Sequence, residues 1–331
     1  MPTALVTGGA GFLGSHVADA LLSMGYRVVV LDDLSGGSRA NVPAGGEFVE
    51  GSVVDHDLVD RVFAERRFDA VFHLAAYAAE GLSHFVKRFN YTTNLLGSIN
   101  LINAAVNVGT VRLFVFTSSI AVYGPGQLPM RESTTPQPVD PYGIAKYAVE
   151  LDLQEARHLF GLNFVVFRPH NVYGERQHIG DRYRNVIGIF MNQILKHEPM
   201  TVFGDGEQTR AFTHVSDVAP LIARCVERPG TWNQVFNVGA DAPCTLNALA
   251  TAVAKAMGVP PRTVHLDPRT EVVHAFADHD KTRAAFGDLI RGVSLEEGLA
   301  RTAAWVRSAG AGVPRTSPAL EVTKNLPRTW G

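Results

Sequence analysis

Residues Ala4-Leu5-Val6-Thr7-Gly8-Gly9-Ala10-Gly11-Phe12-Leu13-Gly14 restrict what this chain can fold into more than any other stretch. A short apolar run ends in glycines and passes into Ser15-His16-Val17-Ala18-Asp19-Ala20-Leu21-Leu22, where positions 17, 18, 21 and 22 are apolar at helical spacing. The pattern predicts a strand, a tight turn and a helix whose N-terminus is left open. Backbone N–H groups at such a terminus, with the positive end of the helix dipole, suit a pyrophosphate. Gly8 and Gly11 let the backbone come close to a ligand, and Gly14 lets the helix pack on the strand. Glycine used for turn geometry alone would look the same, so the next stretch matters. Tyr26-Arg27-Val28-Val29-Val30-Leu31 is a second apolar run, ending at Asp32-Asp33 about 20 residues past the glycines. A carboxylate there grips a ribose 2′-hydroxyl and repels a 2′-phosphate, which favours NAD over NADP. Arg39, close in sequence, keeps NADP open.

At 331 residues the chain has room for two domains, or for one with a large lobe. Its hydrophobic fraction of 46% and charged fraction of 19% are those of an ordinary soluble globule. A net charge of -2 gives no electrostatic case for nucleic acid or an anionic membrane. No apolar run approaches the roughly 20 residues of a membrane span. The first strand starts by residue 4, which leaves no room for a signal peptide, so a cytoplasmic protein is expected. Cys225 and Cys244 are too few to staple a fold of this size and lack metal-ligand spacing, so no metal is expected.

Strand-like runs then alternate with helical ones. Strands are expected at 47–50, 70–76, 113–118 and 163–168, and helices near 56–66, 89–108 and 141–160. Nearly continuous apolar strands separated by helices mean a parallel sheet covered on both faces, here an α/β, Rossmann-type doubly wound sheet. After Arg168-Pro169 the pattern loosens, with helices expected at about 185–196, 246–257 and 295–308 and one more sheet strand at 235–238. The expected division is a dinucleotide-binding domain from 1–169 plus 212–238 and a smaller, discontinuous substrate-binding lobe from 170–211 plus 239–312. Residues 313–331 read as a tail or a strap across the surface.

Asp140-Pro141-Tyr142-Gly143-Ile144-Ala145-Lys146 predicts a helix start, since Asp is a good N-cap and Pro a good first residue. Tyr142 and Lys146 then share one face, one turn apart. A free tyrosine titrates near pH 10, and bringing it to neutrality takes about 3 units, or roughly 4 kcal/mol of charge stabilisation. A lysine ammonium and an oxidised nicotinamide in a site shielded from water supply charge of the right sign. At the end of the fifth strand, Thr117-Ser118-Ser119-Ile120-Ala121-Val122-Tyr123-Gly124 places hydroxyls at the mouth of a cofactor crevice, where one can hydrogen-bond a substrate hydroxyl or the carbonyl it becomes.

With these parts in order, the chain resembles the extended short-chain dehydrogenase/reductase family, and within it the UDP-glucose 4-epimerase-type nucleotide-sugar epimerases. The similarity runs from residue 3 to about 307 and rests on the glycine turn, His73-Leu74-Ala75-Ala76, Asn94, Ser118-Ser119, Val122-Tyr123-Gly124, Tyr142 with Lys146, Arg168-Pro169, Asn171-Val172-Tyr173-Gly174, Gly204-Asp205-Gly206, Thr209-Arg210 and Asn237-Val238-Gly239. The resemblance implies Ser119, Tyr142 and Lys146 as the catalytic trio: Tyr142 takes the proton of the sugar 4-hydroxyl as hydride leaves C4 for NAD, and the 4-keto sugar rotates and takes the hydride back on its other face. It further implies a cofactor wall of Gly8, Gly11, Phe12, Leu13, Asp32, Asp33, Ser52, Val53, Leu74, Ala75, Ala76, Asn94, Ser118 and Pro169, with Tyr142 and Lys146. For a UDP-sugar substrate it implies Asn171, Asn185, Val202, Arg210, Arg269 and Ala275 alongside Ser119 and Tyr142, and it implies a homodimer through helices near 89–108 and 141–160.

The departures from the family pattern narrow the chemistry. Related 4,6-dehydratases carry an acidic pair directly after the catalytic hydroxyl, and here those places hold Ile120 and Ala121, which cannot shuttle protons. Ser52 stands where many relatives have an aspartate, and Ala78 where some have a lysine. Ala275 stands where epimerases confined to glucose and galactose tend to have a bulky tyrosine, so N-acetylated sugars are expected to fit. Residues 79–85 lie where substrate-facing groups usually fall, and His170, in an apolar-flanked turn, reads as structural. The expectation is an NAD-dependent UDP-hexose 4-epimerase. An epimerase or reductase acting on another nucleotide sugar, such as a UDP-uronic acid, and a non-catalytic NAD-binding regulator are the alternatives; a reductase would consume its cofactor, whereas an epimerase would not.

Overall fold

Apolar runs with no polar alternation can only be satisfied by a sheet buried on both faces. The computed structural model, which describes residues 1–181, 183, 185–268, 274–312 and 318–327, has that architecture. Seven strands, β1 (Thr3–Thr7), β2 (Arg27–Asp32), β3 (Glu47–Glu50), β4 (Ala70–His73), β5 (Leu113–Thr117), β6 (Phe164–Pro169) and β7 (Gln234–Val238), pair in parallel in the order β7-β6-β5-β4-β1-β2-β3. Alternate side chains feed two cores. Val6, Val28 and Val30 meet Val17 and Leu21 of α1 (Phe12–Ser23), while Leu5, Val29 and Leu31 face the side covered by α2 (His56–Glu65), α3 (Gly97–Val108) and α4 (Pro141–Phe160). The strand order reverses between β1 and β4, which opens a crevice beyond their carboxyl ends.

Local chemistry explains the boundaries. The Asp140 carboxylate accepts the Gly143 N–H at 2.8 Å, Pro141 fills the first turn of α4, and Gly161 at φ 77° ends it. β4 stops at His73, earlier than the apolar run suggests, because the chain turns there to close on β1: the Ala75 N–H donates to Thr7 Oγ1 at 3.3 Å. The helix expected over 89–108 is interrupted. A short helix, Lys87–Tyr91, leads into a π-helical turn, Thr92–Leu96, and then α3. Periodicity does not register such a turn, which widens the helix by one residue and is often found at functional sites.

A third core joins Tyr173, Phe190 of α5 (Val186–Leu195), Phe212, Leu249 and Val253 of α7 (Leu246–Met257), and Leu299 and Val306 of α8 (Leu295–Ala309). A further helix, α6 (Ala219–Arg224), packs beside α1 on the main sheet. Beside the third core, Thr209–Ala211 pairs antiparallel with Pro243–Thr245 and parallel with His274–Ala275.

The glycine turn is tight enough to test. Gly8 sits at φ 70°, and a Cβ there would lie 2.6 Å from the Ala75 nitrogen; at Gly14 a Cβ would lie 2.1 Å from the Gly8 carbonyl oxygen. Gly8→Ala combines this overlap with a left-handed penalty of roughly 1–2 kcal/mol, so a clear fall in the denaturant midpoint is expected. An unchanged midpoint would contradict the packing described.

Candidate active site

The crevice wall is built from the ends of the strands. Gly8, Gly11, Phe12 and Leu13 form its floor after β1. Gly11 caps α1 with no side-chain bond, and the first turn of α1 holds no acidic residue, so the helix N-terminus faces the crevice open and positive. After β2, Asp32 accepts the Ala10 N–H at 3.0 Å and the Leu34 N–H at 2.8 Å, which fixes its carboxylate beside the glycine turn. Asp33 accepts from the Ser35 N–H at 2.9 Å. Ser52, Val53, Leu74, Ala75, Ala76 and Pro169 also line the crevice, as do Ala78 and Glu80–Leu82. This cradle fits a dinucleotide: it has no room for a Cβ at Gly8, an anion-ready helix end, and a carboxylate at the next strand end. Sequence reasoning missed Ser35, Gly36 and Gly37, which line the same end; a Cβ on Gly37 would lie 2.6 Å from the Ala10 carbonyl. The signal was the glycine pair Gly36-Gly37, two residues beyond Asp32-Asp33.

On the opposite wall, Ser118, Ser119, Tyr142 and Lys146 come together. Ser119 Oγ accepts the Ala121 N–H at 3.1 Å. Lys146 is buried, donates to the Thr117 carbonyl at 2.8 Å, and stands 4.6 Å from the Phe116 ring centroid and 5.8 Å from that of Tyr142. Burial pulls the ammonium down to about 7, while Glu150, one turn further along α4, acts in the other direction. Glu150 is itself held: Ser118 Oγ donates to it at 2.5 Å, and Arg168 donates through Nε at 3.0 Å and Nη2 at 2.5 Å. A buried carboxylate thus stands on the side of the lysine away from the crevice, with its own charge matched by a guanidinium. Tyr123, one turn on from Ser119, donates to Asn237 Oδ1 at 2.7 Å, and burial pushes its phenol up to about 12. Tyr142 lines the crevice one turn before Lys146 on α4, and Tyr77 and Tyr183 line it elsewhere.

At the far end, Asn171, Asn185, Arg210 and Ala275 line the crevice. Ala275 is paired in register with Arg210 and packs with Ile120 and Met130, which sets this wall of the crevice against the loop that carries Ser119. Asn185 accepts the Ile187 N–H at 3.1 Å and so caps α5. Two expected contacts are placed elsewhere. Val202 is fully buried in the third core, and it is the adjacent Phe203 that reaches the crevice, because neighbouring strand residues face opposite ways. Asn94 stands behind the wall: its amide accepts the Tyr77 N–H at 2.8 Å and donates to the Tyr77 carbonyl at 3.1 Å, so it braces backbone. Arg269 lies outside the described residues. His170 does line the crevice, with Nε2 3.0 Å from His279 Nε2, and His279 Nδ1 is 2.7 Å from Asp241. Among the described residues no cluster has the makings of a metal site, and no helix is long and apolar enough to cross a membrane.

Residues 4–239 match the profile of the NAD dependent epimerase/dehydratase family. The chain is 35% identical to the UDP-glucose 4-epimerase of Mycolicibacterium smegmatis over 311 residues, which is 92% of this chain and 98% of that one. A crystal structure of the UDP-glucose 4-epimerase of Thermotoga maritima with UDP-glucose superposes with a TM-score of 0.87 at 36% identity, covering 93% of this chain and 99% of the other. A UDP-N-acetylglucosamine 4-epimerase from Methanobrevibacter ruminantium, in complex with UDP-N-acetylmuramic acid, gives a TM-score of 0.83 at 31% identity, covering 93% and 98%.

The buried histidines make stability depend on pH. Burial lowers His73 well below its ordinary value, with Lys146 adding to the effect, and lowers His170 to about 3. Below about pH 6.5 the unfolded chain takes up protons that the folded one refuses, so stability falls with falling pH, by at most about 1.4 kcal/mol per pH unit for each such histidine. The denaturant midpoint is therefore expected to be lower at pH 5 than at pH 7.5; a midpoint that holds or rises would contradict the burial of neutral imidazoles.

Proposed function

Because this chain belongs to the NAD dependent epimerase/dehydratase family, we propose that it is an NAD-dependent UDP-hexose 4-epimerase that oxidises the sugar transiently at C4 and admits N-acetylated sugars. The observation that carries this reading is one crevice that joins the glycine cradle to Ser119, Tyr142 and Lys146, with Ile120 and Ala121 where a dehydratase would need acids. Gly8, Gly11, Phe12 and Leu13 would hold the pyrophosphate of NAD, Asp32 and Asp33 the adenosine ribose, Ser52 and Val53 the adenine side, and Lys146 the nicotinamide ribose. Bound NAD supplies the hydride acceptor for C4 and later the hydride donor to the opposite face.

The chain's own residues manage protons and orientation. Tyr142 Oη takes the proton of the sugar 4-hydroxyl and returns one to the 4-keto oxygen, and Ser119 Oγ hydrogen-bonds that oxygen in both directions. The phenolate and the Lys146 ammonium favour one another, because each charge is costly to bury alone. Asn171, Asn185 and Arg210 hold the diphosphate end; a guanidinium suits phosphate oxygens better than a point charge does. Ala275 leaves space for a 2-acetamido group.

We further propose a homodimer in which α4 and its neighbour pair with their copies. Ile144 and Leu151, two turns apart on α4, are 42% and 45% exposed, and Leu96 on the adjoining π turn is 54% exposed. An apolar stripe of this kind on two packed helices is what an obligate interface covers.

A panel of UDP-glucose, UDP-N-acetylglucosamine and UDP-glucuronate, followed by NMR for inversion at C4, tests the function. Inversion of the first two is expected without added cofactor, and Ala275→Tyr is expected to abolish turnover of the N-acetyl sugar while sparing UDP-glucose. No inversion across the panel would refute the function; full N-acetyl turnover in the variant would refute the role of Ala275. Light scattering tests the assembly: a dimer mass is expected, reduced to the monomer by Ile144→Asp with Leu151→Asp, and a monomeric parent chain would refute it.

A further inference from the structure

The proposed reaction makes no use of residues 318–327, yet they lie against its crevice. Asn325, Leu326 and Pro327 line it alongside Phe85 and Phe89. Glu321 and Val322 donate their backbone N–H groups to the Phe85 carbonyl at 2.8 and 3.2 Å. The Glu321 carboxylate accepts the N–H groups of Arg88 at 2.8 Å and Phe89 at 2.9 Å. These are first-turn donors of the helix Lys87–Tyr91, whose own cap residue, Val86, offers no side-chain acceptor. A residue more than 230 positions away in sequence therefore completes this helix end.

The segment so held reaches the catalytic helix twice. Asn90 Nδ2 donates to the Pro141 carbonyl at 2.9 Å, and Ser83 Oγ accepts the Tyr142 N–H at 3.3 Å while donating to the Glu80 carbonyl at 2.5 Å. Both polar groups of the Pro141–Tyr142 peptide unit, directly before the Tyr142 α-carbon, are thus gripped by residues 80–91, and that segment is in turn gripped by Glu321. The Arg88–Glu321 ion pair, at 3.7 Å with Arg88 almost fully exposed, adds little to this.

We propose that residues 318–327 are a fixed wall of the active site and that Glu321 is a positioning residue, which sets the placement of Tyr142 through the segment 80–91. Because Glu321 acts only through Tyr142, this role rests on Tyr142 being the proton acceptor of the proposed epimerase. The consequence is a division of effects. Loss of Glu321 loosens the phenol without touching the cradle or the diphosphate end, so it lowers kcat. Loss of the whole segment also removes the wall at 325–327 and raises KM.

The test uses the holoprotein, its Glu321→Ala and Glu321→Gln variants, and a chain ending at residue 317. UDP-glucose turnover is measured with UDP affinity by calorimetry and the thermal midpoint. Glu321→Ala is expected to lower kcat at least about tenfold, since small misplacements of a reacting group are costly, with UDP affinity unchanged. Glu321→Gln, which keeps one acceptor oxygen, is expected to recover part of kcat, and the shortened chain to lose kcat and gain in KM. Parent-level kcat in Glu321→Ala overturns the proposal. So does a fall in kcat matched by equal falls in UDP affinity and thermal midpoint, which would mark Glu321 as structural only. If the parent protein binds UDP but inverts no sugar, the epimerase reading fails and takes this role with it; inversion by the parent at an unchanged rate in the variant refutes the positioning role alone.

Discussion

A lysine ammonium buried at the carboxyl end of β5 is the constraint around which the site is arranged. Burial alone would neutralise it, and the structure answers on three sides: the Thr117 carbonyl accepts from it, Glu150 stands one turn along the same helix, and the Phe116 ring lies beneath it. Glu150 in turn requires Ser118 and Arg168 to hold a buried carboxylate, which ties α4 to the ends of β5 and β6. A positive charge held in this way has one open side, towards the crevice, where a phenolate would meet it. The chain belongs to the NAD dependent epimerase/dehydratase family, and the cradle after β1, which fits a dinucleotide, opens onto the same crevice.

The far end of the crevice depends on a different kind of contact. Pairing of Thr209–Ala211 with His274–Ala275 sets Arg210 beside Ala275, so that a guanidinium and a small side chain stand on neighbouring strands. Their spacing is fixed by strand register, and a slip of one residue would turn both away from the crevice. The same alternation explains why Phe203 and not Val202 reaches the crevice.

The sheet and its helices were legible because both rest on local signals. Doubly buried strands are apolar throughout, and Asp140-Pro141 marks the start of α4 to the residue. The glycine turn and Asp32 were legible for a related reason: steric demand permits few alternatives at those positions. What escaped depends on contacts distant in sequence. The π turn at Thr92–Leu96 leaves apolar spacing nearly unchanged, and whether Asn94 faces a ligand or the Tyr77 backbone is decided by that turn. Ser35, Gly36 and Gly37 needed the close approach of their loop to Ala10. The segment 318–327 has no periodicity, since it is held by backbone bonds and one carboxylate cap rather than by an apolar face.

In the proposed reaction one crevice both removes hydrogen from C4 and gives the same hydrogen back. UDP-glucose carrying deuterium at C4, incubated with the holoprotein in ordinary water and analysed by NMR, tests this directly. UDP-galactose with the deuterium still at C4 is expected. Product with hydrogen in its place, or label released to the solvent, would contradict it.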